Sequence, residues 1–580
     1  MRYFVLATDY DGTLAADGRV DDKTIAALER LRTSGRKLIL VTGRELDNLQ
    51  RAFPQIDLFD CVVAENGALL YSPASRQEKS LGSQPPEEFI QALRVRLSEA
   101  APPEHRHVDP LSVGRVIVAT WHPNETVVLQ TIRDLGLELQ VIFNKGAVMV
   151  LPSGINKAAG LTAALDEMNL SPHNVVGVGD AENDHAFLDL CECSIAVANA
   201  LPVVKERVDF VTNSSRGAGV VELIDKLLDS DLSEIDTQLE RHNILLGTRE
   251  DGTEVHMKAY GSSVLLSGTS GGGKSTLATG VLERIAEQKY QFCIIDPEGD
   301  YENFEGGVVL GDAKRSPRVE EMLDLLEQPN QNVVVNLLGI ALADRPAFFA
   351  ELLPQLQELR ARTGRPHWIV VDEAHHLIPS SWNPASLTLP QELDGLMLIT
   401  VHPDQVAPAA LSLVDTIITV GNSPEENIQQ FCKVVDHCPP TLAPQNLEPG
   451  EALTWFRETD TEPIRIRITP GRTERRRHIR KYAQGELGTD KSFYFTGAEN
   501  KLHLRAQNLI LFTQIAGGVD DETWLYHLQQ GDYSRWFREA IKDESLAEEV
   551  KKIEESANGS AKESREEIQA AIEQYYTLSA

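Results

Sequence analysis

The chain repeatedly sets a short apolar run directly in front of carboxylates, hydroxyls or glycines. Phe4-Val5-Leu6-Ala7-Thr8 stops at Asp9, Lys37 to Val41 stops at Thr42-Gly43-Arg44, and Val175 to Gly179 stops at Asp180. Ser263 to Ser267 runs into Gly268, and Trp368 to Val371 into Asp372-Glu373. Short apolar runs without alternation suit strands buried on both faces, as in a parallel sheet covered by helices. An open sheet of that kind binds ligands at the carboxyl ends of its strands, so the groups ending these runs are candidate site residues. At 580 residues the chain exceeds what one hydrophobic core spans, so an α/β fold with several domains is expected.

Bulk properties exclude other classes. Hydrophobic content is 42% and charged content 24%, and no apolar run approaches the roughly 20 residues a membrane helix needs. The apolar N-terminus runs straight into acids without a basic leader, which predicts a buried first strand and a cytoplasmic protein. The six cysteines form no CxxC pair, and Cys432, His437 and Cys438 lack a fourth ligand, so neither disulfides nor zinc is expected. A formal net charge of −32 disfavours a broad nucleic-acid footprint, local basic patches aside.

Phosphoryl transfer through an acyl phosphate needs a nucleophilic carboxylate and a nearby acid/base. Asp9 is placed to attack phosphorus and Asp11 to protonate the leaving oxygen, with Gly12 permitting the turn and Thr13 supplying a hydroxyl. Thr42 suits a hydrogen bond to a phosphoryl oxygen, and Lys157 opens a helix-like run where its ammonium neutralises phosphate charge. Asp180 suits a hard cation, with Asn183 and Asp184 completing or supporting the shell.

These four segments resemble the haloacid dehalogenase superfamily in its Cof-like sugar-phosphatase branch, over roughly residues 1–230. The resemblance implies a Rossmann-like core over 1–81 and 151–230 with an α/β cap inserted at 82–150. It implies Asp9 as nucleophile and Asp11 as acid/base. It further implies Mg2+ held by Asp9, the backbone of Asp11 and Asp180, and a phosphate gripped by Thr42 and Lys157. A small phosphomonoester, a sugar phosphate, is the expected substrate. Within the insert we expect two helices, PPEEFIQALRVRLSEA and ETVVLQTIRDLG, and two strand-like runs, VGRVIVATWH and LELQVIFNKGAVMVLP. Such caps close over the site and choose the substrate; His105, Arg106, His107 and Asn144 there are candidates to read a substrate, with a solvated polar residue the simpler reading of each. The Glu65-Asn66-Gly67 turn also resembles the family, near the site floor, and a plain tight turn explains it as well.

From about 231 the pattern changes to a polar connector and two strand-like runs joined by Asp251-Gly252, which predicts a hairpin. Gly268-Thr-Ser-Gly271-Gly-Gly273-Lys274-Ser275-Thr276 is a full phosphate-binding loop between a strand and a helix. Its glycines let backbone N–H groups cradle the phosphates of ATP, Lys274 meets the β and γ phosphates, and Ser275, followed by Thr276, serves the Mg2+. Asp372 can hold magnesium through water and Glu373 can polarise the attacking water, a pairing that favours hydrolysis. With Asp296-Pro-Glu298-Gly-Asp300 and Thr400-Val-His402 these segments resemble the HerA/FtsK group of motor ATPases over roughly 240–470. That implies a RecA-like P-loop ATPase domain over 231–470, a sensor at Thr400 or His402, and assembly into a homo-oligomeric ring. His402 departs from the glutamine or asparagine common there.

Residues 471–580 are expected to hold a basic segment, GRTERRRHIRK, then a small helical domain with Trp524, Tyr533, Trp536 and Phe537 spaced for packing. The leading reading is a phosphatase with a fused ATPase. The alternatives are a nucleic-acid end-processing phosphatase/kinase, or a DNA-linked motor or defence ATPase with the phosphatase as effector.

Overall fold

The computed structural model describes residues 1–576 apart from 101–108, 145, 237, 270–272, 382–393, 441–445, 458–461, 472–491, 499–500, 542 and 557–559. His105, Arg106, His107, Gly271 and all but the first residue of the basic segment lie outside the described residues. The chain divides into two compact units: Met1–Lys274, Arg284–Glu302 and Gly306–Ile468 form one, and Ser275–Glu283, Asn303–Glu305 and Thr469–Ala580 the other.

The first unit holds three sheets. Strands β1 (Val5–Thr8), β2 (Lys37–Val41), β3 (Cys61–Ala64), β4 (Leu69–Ser72) and β5 (Gln77–Ser80) precede the inserted strands β6 (Ser112–Val113), β7 (Val118–Trp121), β8 (Leu139–Asn144) and β9 (Ala147–Pro152). Then β10 (Val175–Gly179), β11 (Cys193–Ala196) and β12 (Phe210–Val211) rejoin the first sheet, in the order β12-β11-β10-β1-β2-β3-β4-β5. It is parallel from β12 to β3 and antiparallel beyond. Every residue of β1, β3, β10 and β11 is buried, as the unbroken apolar runs require.

The insert forms an antiparallel sheet, β6-β7-β9-β8, one face of which packs on the helices Glu87–Ala100 and Glu125–Asp134. The run LELQVIFNKGAVMVLP, expected as one strand-like element, is instead the β8–β9 hairpin: Asn144 pairs with Ala147. Gly146 at φ +88 takes the left-handed conformation that turns the chain there.

The third sheet comprises β13 (Ile244–Thr248), β14 (Glu254–Met257), β15 (Ser263–Gly268), β16 (Phe292–Asp296), β17 (Val308–Leu310), β18 (Val333–Asn336), β19 (Trp368–Val371), β20 (Leu396–Thr400), β21 (Thr416–Val420), β22 (Glu451–Phe456) and β23 (Ile464–Ile468). Its order is β14-β13-β23-β22-β21-β15-β20-β19-β16-β18-β17, parallel from β21 to β17. The expected hairpin is β13–β14, with Gly252 at φ +84.

A buried polar cluster joins the first and third sheets at their amino-terminal edges, away from the strand ends that carry the acids. His173, just before β10, sets Nδ1 2.8 Å from Glu192 Oε2 and Nε2 2.6 Å from the Gln288 carbonyl. The Tyr290 hydroxyl donates to Glu192 Oε2 at 2.6 Å, and Arg2 donates to Glu192 Oε1. Gln291 N donates to His367 Nδ1 at 2.8 Å at the start of β19. Burial works to raise the Glu192 carboxyl, but the His173 hydrogen bond and the Arg2 charge outweigh it and hold it well below the usual carboxylate range. Its contribution is therefore complete above the ordinary carboxylate pKa of 4.5 and is lost only in strong acid. Glu192→Ala removes the acceptor that a buried guanidinium, imidazole and phenol share, though Arg2 keeps Asp236 and His173 keeps the Gln288 carbonyl. Urea unfolding at pH 7 is expected to show about 3–5 kcal/mol lost; a loss under about 1 kcal/mol would mean the cluster does not join the sheets.

The carboxyl-terminal part of the second unit contains a hairpin, β24 (Phe493–Phe495) and β25 (Leu504–Ala506). Residues 504–506, expected within a helical stretch, pair as a strand instead, and the helix begins only at Leu509, where the Asn508 side chain caps it. Four further helices follow, Asp521–Gln529, Asp532–Glu539, Glu544–Ser556 and Ala561–Tyr576. Trp524, Tyr533, Trp536 and Phe537 pack with Phe493, Phe495 and Phe512 as its core. Among the described residues, no helix of either unit is long and apolar enough to cross a membrane.

Candidate active sites

The register of the first sheet aligns Thr8 with Val178 and Leu40, so Asp9, Thr42 and Asp180 leave neighbouring strands at one edge. Lys157 comes from the start of the helix Lys157–Glu167, capped by the Asn156 side chain. That helix meets the 65–67 turn at close quarters: a Cβ on Gly67 would lie 1.9 Å from the Asn156 carbonyl oxygen.

Asp9, Asp180 and Asp184 are all buried, and their carboxylate oxygens converge to within 4.8 Å. Lys157 Nζ, 1% exposed, donates to Asp9 Oδ1 and to Asp184 Oδ1, both at 2.5 Å. Asp184 Oδ2 accepts from the backbone N–H of Asp180 at 2.8 Å and of Ala181 at 2.9 Å. Asp184 is thus held by the backbone as well as by Lys157. Burial raises the Asp9 carboxyl, and the Asp184 charge raises it further against Lys157, to about 8. Three carboxylates gathered about one ammonium carry an excess of negative charge, and this all-oxygen donor set fits a hard divalent cation.

Asp11 leans outward to Arg44, whose Nε and Nη2 donate to its two carboxylate oxygens at 2.6 and 2.7 Å. Arg44 Nη1 also donates to Asn48 at 2.9 Å. Thr42 is buried, and its hydroxyl oxygen accepts from Arg44 N at 3.1 Å. The Thr13 hydroxyl donates to Asp180 Oδ1 at 3.3 Å. Asn183 turns its amide to Asn66 Oδ1 at 3.0 Å, which makes it a bracing residue of the 65–67 turn.

Two residues of this site carry contacts that the motif reading did not assign. Arg44 orients Asp11. Glu65, in left-handed backbone at φ +51, accepts from the N–H groups of Arg115, Val116 and Ile117 at 2.8, 2.7 and 3.0 Å. It ties the core to the segment that enters β7 and so places the cap over Asp9. An acid immediately after β3 is the only local sign of this; its partners lie some fifty residues on.

In the third sheet, Gly268 ends β15 at φ +149, where a Cβ would lie 2.1 Å from the Val420 carbonyl oxygen. Gly273 has φ +96, and Lys274, Ser275 and Thr276 open the helix Lys274–Glu287. The Lys274 ammonium donates to the carbonyls of Gly268 at 2.9 Å and Thr269 at 3.2 Å. Burial lowers its pKa, against the charges of Glu373 and Asp372. Asp372 is 4% exposed, and burial pushes its carboxyl up to about 8. Glu373 follows in left-handed backbone at φ 41. Its Oε2 is buried without a hydrogen bond among the described residues, and burial raises its carboxyl. A strained backbone and a raised carboxyl are what a general base held for action shows.

Of the two expected sensor residues, Thr400 is buried and His402 is exposed. Thr400 is fully buried at the end of β20, where its hydroxyl oxygen accepts from His402 N at 3.0 Å and lies 3.0 Å from His375 Nδ1. Asp296 accepts from the backbone N–H groups of residues 298 to 301. It shapes the loop that carries Glu298 and Asp300, whose charges act on Glu373.

The family model for haloacid dehalogenase-like hydrolases matches residues 6–94 and 121–224, and the model for the central domain of the helicase HerA matches residues 251–349. The phosphoglycolate phosphatase of Methanothermobacter thermautotrophicus is 28% identical over 225 residues, which span 38% of this chain and 98% of that protein. Phosphoglycolate phosphatase 2 of Saccharolobus solfataricus is 27% identical over 232 residues, 39% of this chain and 92% of its own length. The phosphoglycolate phosphatase of Methanosarcina acetivorans is 29% identical over 230 residues, 39% and 97%.

Proposed function

We propose that this chain, in which a haloacid dehalogenase-like hydrolase domain continues into a HerA-type domain, is a magnesium-dependent phosphomonoesterase with a fused ATPase. The observation that carries the first half is the convergence of Asp9, Asp180 and Asp184 on Lys157 beneath the cap. Asp9 attacks the phosphorus of a small phosphomonoester, a sugar phosphate, forming an aspartyl phosphate as the ester oxygen departs. Asp11, oriented by Arg44, gives that oxygen its proton and then takes one from the water that hydrolyses the intermediate. Lys157 and Thr42 hold the phosphoryl oxygens. Asp9 and Asp180 would hold Mg2+, which supplies positive charge to the phosphoryl group.

The second half rests on Lys274, at the start of the helix Lys274–Glu287, and on Asp372 and Glu373 at the end of β19. Lys274 would meet the phosphates of ATP, Asp372 would hold the accompanying magnesium, which supplies positive charge to them, and Glu373 draws the proton from the attacking water. Phosphate release from a panel of monoesters, and separately from ATP, with and without magnesium, tests both halves. Magnesium-dependent turnover of a monoester that Asp9→Asn abolishes supports the first. No turnover of any monoester would overturn it.

The Asp9 carboxyl also predicts a linkage. Its folded pKa of about 8, against an ordinary 3.8, means that the metal-free fold binds the extra proton between those values. Raising the pH across that window therefore drains stability, and a cation that binds the ionised carboxylate restores it. The increase in Tm on adding magnesium without nucleotide is expected to grow from pH 5 to about 8 and to vanish in Asp9→Asn. An increment independent of pH would contradict the assignment.

A further inference from the structure

The cavity over Asp9 and Asp11 has a volume of about 390 Å³, in the roughly 300–1,000 Å³ range of small-molecule pockets. Its roof is one face of the cap sheet. Ile117, Ala119 and Trp121 alternate along β7 and the residue before it, Ala147 and Met149 alternate along β9, and Asn144 ends β8. Trp121 stands opposite Ala147, and Ala119 opposite Met149. The period of two sends Val118, Val148 and Val150 to the other face, among Phe89 and Ile90.

Among the described residues this roof carries no charge. Trp121 is 64% exposed, an aromatic face beside two alanines that leave room next to it. Asn144 Oδ1 is buried without a hydrogen-bond partner among the described residues. Below, Arg44 is the cation that lines the cavity among the described residues, and its fork is engaged by Asp11 and Asn48. Glu45 adds a carboxylate at the same wall, accepting from the Ser112 hydroxyl. The cavity thus offers a flat apolar surface and hydrogen-bond acceptors, and it surrounds a second anion with acids.

We infer that Trp121 and Asn144 select the leaving group. A neutral ring bearing hydroxyls lies on the Trp121 indole and donates a hydroxyl to Asn144 Oδ1. A leaving group with its own carboxylate is rejected by Glu45 and Asp11. The inference rests on the phosphomonoesterase reading above, and it departs from the substrate that names the related phosphoglycolate phosphatases.

The test uses the full chain with magnesium and three probes: glucose 6-phosphate as the neutral ring, glycerol 2-phosphate as a neutral ester without a ring, and phosphoglycolate as the carboxylate. Wild type is expected to prefer glucose 6-phosphate to both others by about tenfold or more in kcat/KM. In Trp121→Ala the ratio of glucose 6-phosphate to glycerol 2-phosphate falls about tenfold, through KM more than kcat. Asn144→Ala lowers the same ratio. Trp121 lies on the surface, and an unchanged thermal midpoint establishes that the variant is folded. Preference of wild type for phosphoglycolate, or an equal loss on all three esters in Trp121→Ala, overturns the inference while leaving the phosphomonoesterase reading standing. If wild type releases phosphate from none of the three but does so from another monoester, the inference falls alone; if it releases phosphate from no monoester at all, the phosphomonoesterase reading falls, and the inference with it.

Discussion

Asp9→Asn is expected to lower phosphomonoester turnover by roughly four to six orders of magnitude while ATP hydrolysis continues at the wild-type rate. The carboxamide keeps the shape of the side chain but cannot form the acyl phosphate, so the loss should fall on kcat rather than on substrate affinity. Asp9 sits at the end of β1 in the first sheet, and Asp372 and Glu373 at the end of β19 in another. Between those edges lies the Glu192 cluster, which touches neither set of acids. The substitution should also leave metal-free stability intact at pH 7. There the Asp9 carboxyl, pushed up to about 8, is already largely protonated, and asparagine mimics that form. Near-normal folding with no phosphatase activity separates loss of chemistry from loss of structure. Retention of even one per cent of kcat would remove Asp9 from the nucleophile's role.

Glu373→Gln should do the reverse, reducing ATP turnover by about 10²–10⁴ while monoester hydrolysis and ATP affinity persist. The amide preserves the side chain's size and leaves the Glu373 N–H to Asp372 hydrogen bond of 2.9 Å in place. Only the proton acceptor is removed. Nucleotide binding, which rests on the 268–276 loop and Lys274, is therefore expected within about twofold of wild type. A fall in monoester turnover alongside the ATPase would show that the two sites do not act separately. Equal ATPase rates in variant and wild type would assign the base to another group.

What could be read along the chain and what could not divide by sequence distance. A carboxylate that ends a buried strand announces itself locally, because the apolar run, the acid and the turn are adjacent residues; Asp9, Asp180 and Asp372 were all legible that way. The distant partners of other acids were not. Arg44 holds Asp11 across 33 positions, and Glu65 reaches the cap across about fifty. Glu192 collects Arg2 from 190 positions before it and Tyr290 from 98 positions after it. No period or propensity encodes such pairings, since each end looks like an ordinary polar surface residue until the sheets bring the two together. The cap hairpin was missed for a different reason. An apolar run interrupted only by Asn144-Lys145-Gly146 reads as continuous until the turn conformation of Gly146 is seen. The strand at 504–506 was missed because its three residues fall inside a pattern dominated by the helix that follows.

The most direct test is to quench the magnesium-loaded full chain in acid during monoester turnover and search for a covalent phosphoryl group by peptide mass spectrometry. The account predicts one phosphoryl group on the peptide containing Asp9, present in wild type and in Glu373→Gln and absent from Asp9→Asn. A phosphoryl group on any other residue, or none under conditions of rapid turnover, would contradict it.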